Sequence, residues 1–233
     1  MNVDKYFSEE EIKNIEKAVG EAEKKTVGEI VVSLAYDSDP YAEVPYRAGL
    51  FFMLLSWTAL FLCGIFSVDF SLGSFVRGWS GRTSFLMTNA LPAVMLYSVL
   101  AFGLGWAAVA LFPGLRRFLL TRKRQTEEVR QAALEMFYRE NCHLTEQHSG
   151  ILIYLTMFER RVEIIADKGI NDAVGDTPVW DEIVFTLVED IRKGQQAEGL
   201  VKAVGRCGDL LREKFPGKKK NKNELSDGVR IRD

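Results

Sequence analysis

The chain has 233 residues, with 30 Lys+Arg against 32 Asp+Glu, 47% hydrophobic residues and a mean hydropathy of -0.03. Such totals describe an ordinary globular protein of one or two domains and exclude a disordered one, because Leu, Ile, Val and Phe are plentiful. A net charge of -2 excludes a globally basic nucleic-acid binder, and Cys63, Cys142 and Cys207 lack the spacing of a disulfide framework or a CxxC zinc site.

From the N-terminus, Ser8 followed three residues later by Glu11 is a capping-box signature. Behind it, Ile12, Ile15, Val19 and Ala22 predict an amphipathic helix to about residue 24. Residues 29–35 (EIVVSLA) are a short apolar, β-branched run that predicts a buried strand. Asp37-Ser38-Asp39-Pro40 then marks a turn. Asp37-x-Asp39 after an apolar strand is similar to the nucleophile loop of haloacid-dehalogenase-type phosphatases. Such enzymes need one carboxylate as nucleophile, a second as acid/base and a positioned cation. No lysine motif or acidic magnesium loop follows, so the simpler reading is a turn ahead of a helix.

The whole-chain averages combine two unlike materials. Residues 46–115 hold only four charged residues, Arg47, Asp69, Arg77 and Arg82. Within them, 48–68 and 83–115 are uncharged, the second being densest in apolar residues over 91–111. About 20 residues of helix cross the hydrocarbon core of a bilayer, and unpaired backbone groups are costly in lipid. Both stretches are therefore expected to be membrane-spanning helices, in preference to a buried hairpin in a soluble core. Pro92 sits near the start of the second, where its missing N–H costs little. Of Trp57, Trp79 and Trp106, only Trp79 falls clearly at an interface. A cleaved signal peptide is not expected, since a long polar segment precedes the first apolar run. Arg116, Arg117, Arg122, Lys123 and Arg124 follow the second span and Arg47 enters the first. The positive-inside rule then places both termini in the cytoplasm, and the basic run against anionic headgroups.

Beyond the spans, residues 127–141 predict a helix with Val129, Ala132, Ala133, Met136 and Phe137 on one face. Residues 150–156 (GILIYLT) and 161–167 (RVEIIAD), with a turn near Phe158-Glu159, predict a β-hairpin. Thr177 and Pro178 fit the N-cap and first position of a helix with Trp180, Ile183, Val184, Leu187, Val188 and Ile191 buried. A last helix spans about 197–214, and the residues from 217 onward, basic and polar, read as a mobile tail. One strand before the spans cannot form a domain alone. The expected organisation is thus one α/β domain in two parts, 1–44 and 118–216, interrupted by the hairpin at 45–117 and followed by a basic flexible tail, 217–233. Its sheet would have three or four strands, with helices on its faces.

Several of these residues resemble a known family. They are Thr26-Val27-Gly28-Glu29-Ile30-Val31-Val32, Gly150-Ile151-Leu152-Ile153-Tyr154, the run from Arg161 to Ile170, Trp180, and Gly199-Leu200 within a helix. The pattern is similar to the TPM-domain family, named for a thylakoid-lumen protein, a photosystem II repair protein and a receptor-accessory protein. The closer likeness is to a bacterial branch with an inserted transmembrane hairpin, and it extends to Phe215-Pro216 and Asn223-Glu224-Leu225. The resemblance implies a three-layer α/β/α sandwich in the bacterial inner membrane. It further implies an accessory, assembly or repair role with a membrane-protein partner such as a LemA-type neighbour. The enzymatic alternative it carries is a weak, metal-dependent acid-phosphatase-like phosphomonoester hydrolase; a divalent-metal-binding regulatory module without turnover is the third.

In many members of that family an Asp-Asn-Gly opens the strand that here starts at Gly150 and helps form a metal-binding loop. The matching positions are His148-Ser149-Gly150, so the acidic ligand is absent. A β-hairpin would bring His148 to Asp167, with Asp172 or Asp176 on the following loop. Calcium takes six to eight oxygen ligands, whereas an imidazole beside carboxylates suits zinc or manganese. The alternative is that Asp167 and Gly169 make a turn while His148 caps it or is solvated. Cys142-His143 reads as a helix end. No phosphate loop, HExxH or GxSxG is present, and no catalytic or cofactor-binding residue is assigned. The Lys218–220 and Lys222 cluster lacks the aromatic interleaving of an RNA-binding segment.

Overall fold

The computed structural model describes residues 3–67, 79–175, 177–217 and 224–232, the side chains of 60–67 and 79–93 excepted. The inter-span loop with Asp69 and Arg77, the side chain of Trp79, Asp176 and the lysines at 218–220 and 222 lie outside the described residues. The chain forms two compact units. One is Met1–Pro40 with Arg122–Asp233, and the other is Tyr41–Thr121.

In the first unit, α1 (Glu9–Glu23) starts as the capping box requires. Ser8 Oγ accepts from Glu11 N–H at 3.3 Å, and the Glu11 carboxylate accepts from Ser8 N–H at 2.7 Å. Strand β1 (Glu29–Ala35) is buried throughout. It pairs in parallel with β2 (Gly150–Thr156), which pairs antiparallel with β3 (Arg161–Ala166). The β2–β3 hairpin matches the sequence reading, with Arg160 in the left-handed region at its turn (φ 54°). The parallel pair needs a crossover, and α5 (Arg122–Arg139) provides its helix. α5 starts earlier than residue 127, so Arg122, Lys123 and Arg124 lie in its first turn.

Because side chains alternate across a strand, the sheet faces two different layers. Val31, Ala35, Leu152 and Tyr154 pack with Val129, Ala132, Ala133, Met136 and Phe137 of α5. The other face, with Ile30, Val32 and Leu34, meets α1 and α8 (Gln196–Lys214), and α7 (Val179–Arg192) packs on α8 and β3. Gly28 and Gly208 allow close approach, since a Cβ at either would stand 2.6 Å from Leu211 or Ala22. Helices on both faces of a four-stranded sheet make a mixed α/β sandwich. At α7 the start differs by one residue from expectation: Pro178 occupies the cap position, with no side-chain cap.

In the second unit, α2 (Glu43–Ser67) and α3 (Trp79–Leu111) pack on each other. Trp57 Nε1–H donates to Ser98 Oγ at 2.8 Å, and Phe52 and Phe102 lie against Gly105 and Gly49. α3 stops short of residue 115 because Pro113 cannot donate to a preceding carbonyl, and α4 (Pro113–Leu119) begins there. Among the described residues, Val94–Leu111 is long and apolar enough to cross a membrane, with mean hydropathy 2.0 and 11% of it buried.

The C-terminal tail corrects the sequence reading. Residues 224–232 are not loose: β4 (Arg230–Arg232) adds in parallel to Ser33–Ala35 of β1, giving the order β3-β2-β1-β4. Glu29, only 1% exposed, accepts from Glu224 N–H at 3.1 Å and Leu225 N–H at 3.4 Å. Glu16 accepts from Val229 N–H at 3.1 Å, while Arg230 and Arg232 pair with Glu140 and Glu135. A three-residue strand has no periodicity to read, and its anchors are backbone donors that composition does not reveal.

Glu23 lies under the same segment, accepting from Ile30 N–H at 2.8 Å. Burial first, and then the nearby Glu29 and Asp227, push its carboxyl from an ordinary 4.5 up to about 8. Burial raises Glu29 as well. Between about pH 4.5 and 8 the native state therefore holds a proton at Glu23 that the unfolded chain has released. Stability conferred by that proton is complete below 4.5 and is lost as pH rises through 8. Glu23→Gln should flatten this fall in a series of thermal-unfolding measurements across the window; an unchanged slope would assign the effect elsewhere.

Candidate functional site

The most polar convergence singled out by the sequence lies where β2 begins and β3 ends. The chain approaches it through a tight corner. Cys142 is fully buried, with its thiol pushed up to about 12 by burial, and is therefore unreactive. His143 packs edge-on against Tyr138, with ring centroids 5.0 Å apart, so this pair closes the end of α5 as expected of a helix end. A Cβ at Gly150 would collide with the Cys142 carbonyl, which restricts that position to glycine. Thr145 Oγ1 accepts from Ser149 N–H at 2.9 Å, and Ser149 Oγ donates to Val27 O at 3.3 Å.

These constraints place His148 in the left-handed region (φ 51°), with its imidazole directed at the end of β3. Its Nδ1 lies 3.2 Å from Asp167 Oδ2. The other carboxylate oxygen, Oδ1, accepts from Lys168 N–H at 2.7 Å, so Asp167 is the N-cap of α6 (Lys168–Val174). The His148 side chain is 65% exposed and that of Asp167 only 11%: the carboxylate is fixed by the fold and the imidazole presents its far edge to solvent. Gly169 seals the arrangement, because a Cβ there would lie 2.6 Å from Gln147 O and 2.7 Å from His148 O.

The predicted residues divide between two places. His148 and Asp167 are in contact, whereas Asp172 lines a separate open cleft of about 590 Å³ with Asn171, Gly175, Thr177, Trp180 and Asp181. Asp176 is outside the described residues. Among the described residues no group of three or more His, Cys, Asp or Glu side chains is arranged to hold a metal ion. The pair supplies one nitrogen and one carboxylate, and the carboxylate already has two partners. That set does not build the oxygen-rich shell of calcium, and its chemistry is closer to that of zinc or manganese.

The loop after β1 is organised by a residue that sequence reasoning passed over. Glu159, 3% exposed in the β2–β3 turn, accepts from Ser38 N–H at 3.0 Å and Ser38 Oγ–H at 2.6 Å. Glu29 and Glu23 were likewise passed over. The available signal was a charged residue embedded in, or abutting, an apolar strand-like run, where only a bonded carboxylate is tolerated.

Part of the chain and its fold have counterparts among known proteins. Residues 116–210 match the family model of the TPM domain. A solved structure that is similar is the NMR structure of the BA42 protein from the psychrophilic bacterium Bizionia argentinensis. The likeness covers 97% of this chain and 95% of that one, with a TM-score of 0.55 and 21% identity, and it is one of fold. No curated protein matches the chain.

Asp167→Ala removes a helix cap and is expected to cost about 1 kcal/mol. Gly169→Ala forces the 147–148 carbonyls outward, at a cost of about 1–3 kcal/mol. Thermal unfolding of the two purified variants checks both, with Gly169→Ala expected to be the less stable.

Proposed function

We propose that the protein is an integral membrane protein with α2 and α3 as its two spans. Its TPM-domain unit then works on the cytoplasmic side as an accessory or assembly module for membrane-protein partners. One observation carries this reading. The helical pair inserted between β1 and α5 turns large apolar side chains outward: Phe51 is 63% exposed, Leu54 57%, Met95 70%, Val99 67% and Leu104 72%. An exposed apolar surface so continuous marks a membrane or protein contact, and the length and hydropathy of Val94–Leu111 favour the bilayer. Basic residues clustered at 116–124 support a cytoplasmic location for both termini.

A second reading draws on the His148–Asp167 contact. An imidazole held by a fixed carboxylate is half of a zinc or manganese site, which would make the unit a metal-responsive module. Phosphomonoester hydrolysis draws less support from this contact, because the Asp167 carboxylate is already engaged as the cap of α6 through Lys168 N–H.

Alkaline carbonate extraction should leave the full chain in the membrane pellet, and reporter fusions at Gly73 and at the C-terminus should report opposite sides. Release into the supernatant, or agreement between the reporters, would overturn the two-span reading. Titration calorimetry with zinc and manganese on the wild type and on Asp167→Ala decides the second: heat lost in the variant supports it, and equal heats reject the site.

A further inference from the structure

α4 is seven residues long and presents its apolar side outward. Phe112 is 64% exposed, Leu115 39%, Phe118 83% and Leu119 49%. At 100° per residue Leu115, Phe118 and Leu119 fall within an arc of about 100° on one side of the helix, with Arg116 and Arg117 outside it and Phe112 preceding them as the cap residue. In water this is an inverted surface, since a short helix gains stability chiefly by burying such a face.

The neighbouring chain indicates what covers it. α3 leads directly into α4, and its exposed apolar surface continues through Leu104 and Leu111 (73% exposed) to Phe112. At Phe112 the backbone becomes extended (φ -111°, ψ 94°), and Pro113 takes the first helical position, so the helix of α3 ends and a new one starts. Residues 112–126 contain Arg116, Arg117, Arg122, Lys123 and Arg124 and no acidic residue. An apolar face of Phe and Leu beside a run of cations is the composition of a helix lying in the headgroup layer of an anionic bilayer.

We propose that α4 is an interfacial helix that buries its Phe112, Leu115, Phe118 and Leu119 face in the cytoplasmic leaflet of an anionic phospholipid membrane. This inference rests on the membrane-spanning reading of α3 and adds a second, in-plane contact at the exit of that span. By this contact the connection to the α/β unit leaves the bilayer from the lipid surface and not as free chain.

The test uses the full chain, with Cys63→Ser, in vesicles of phosphatidylcholine and phosphatidylglycerol; Cys142 and Cys207 are buried and shielded from labelling. Nitroxides are placed singly through Phe118→Cys, Val99→Cys in α3 and Lys13→Cys on α1. Collision with oxygen relative to a water-soluble nickel chelate should be severalfold higher at 118 than at 13, with 99 the highest. If 118 matches 13 while 99 stays lipid-exposed, the interfacial helix is wrong and the span stands. If 118 is shielded from both quenchers, it packs on protein and the proposal is overturned. If 99 is as aqueous as 13, the spanning reading fails and this inference fails with it.

Discussion

The parallel pairing of β1 with β2 is the constraint from which the rest of the architecture follows. Two buried parallel strands cannot be joined by a tight turn, because the chain must return to the starting end before it can run forward again. The connection here extends from residue 36 to 149, and α5 is the part of it that covers one sheet face with Val129, Ala133 and Met136. A crossover must be long enough but has no upper limit set by the pairing. An apolar pair of helices can therefore enter the chain after β1 while all seven residues of β1 remain in register with β2.

Burial of β1 creates a second requirement. Its first residue is a glutamate and its fifth a serine, and a carboxylate removed from water needs donors. For Glu29 these donors are the backbone N–H groups of Glu224 and Leu225, so the C-terminal segment is tied to the strand that starts the sheet. The same device recurs where Glu23 accepts from Ile30 and where Glu159 accepts from Ser38. In each case an acidic side chain accepts from a backbone N–H and so ties together segments that are apart in the chain.

Much of the fold was legible where local chemistry is strong. The capping box at Ser8 and Glu11, the apolar run of β1 and the β2–β3 hairpin all rest on patterns within a few residues of one another. The proximity of His148 and Asp167 followed from the hairpin register. What escaped notice depends on partners far apart in the chain. β4 is three residues of Arg-Ile-Arg, unremarkable until β1 offers an edge. The place of Asp172, in a cleft with Trp180 and Asp181 and away from His148, is decided by the direction in which α6 leaves its cap.

Composition and periodicity were enough to separate a charge-poor helical pair from a charged α/β unit, and to show that the unit is assembled from both sides of that pair. These are properties of contiguous residues, since amphipathic and apolar runs declare themselves by spacing alone. Tertiary structure decided which acidic groups are buried, which strand closes the sheet, and that residues 224–232 belong to the fold. The reason is desolvation: a carboxylate is ordinary on a surface and costly inside, and only the folded chain places a backbone N–H within reach of it.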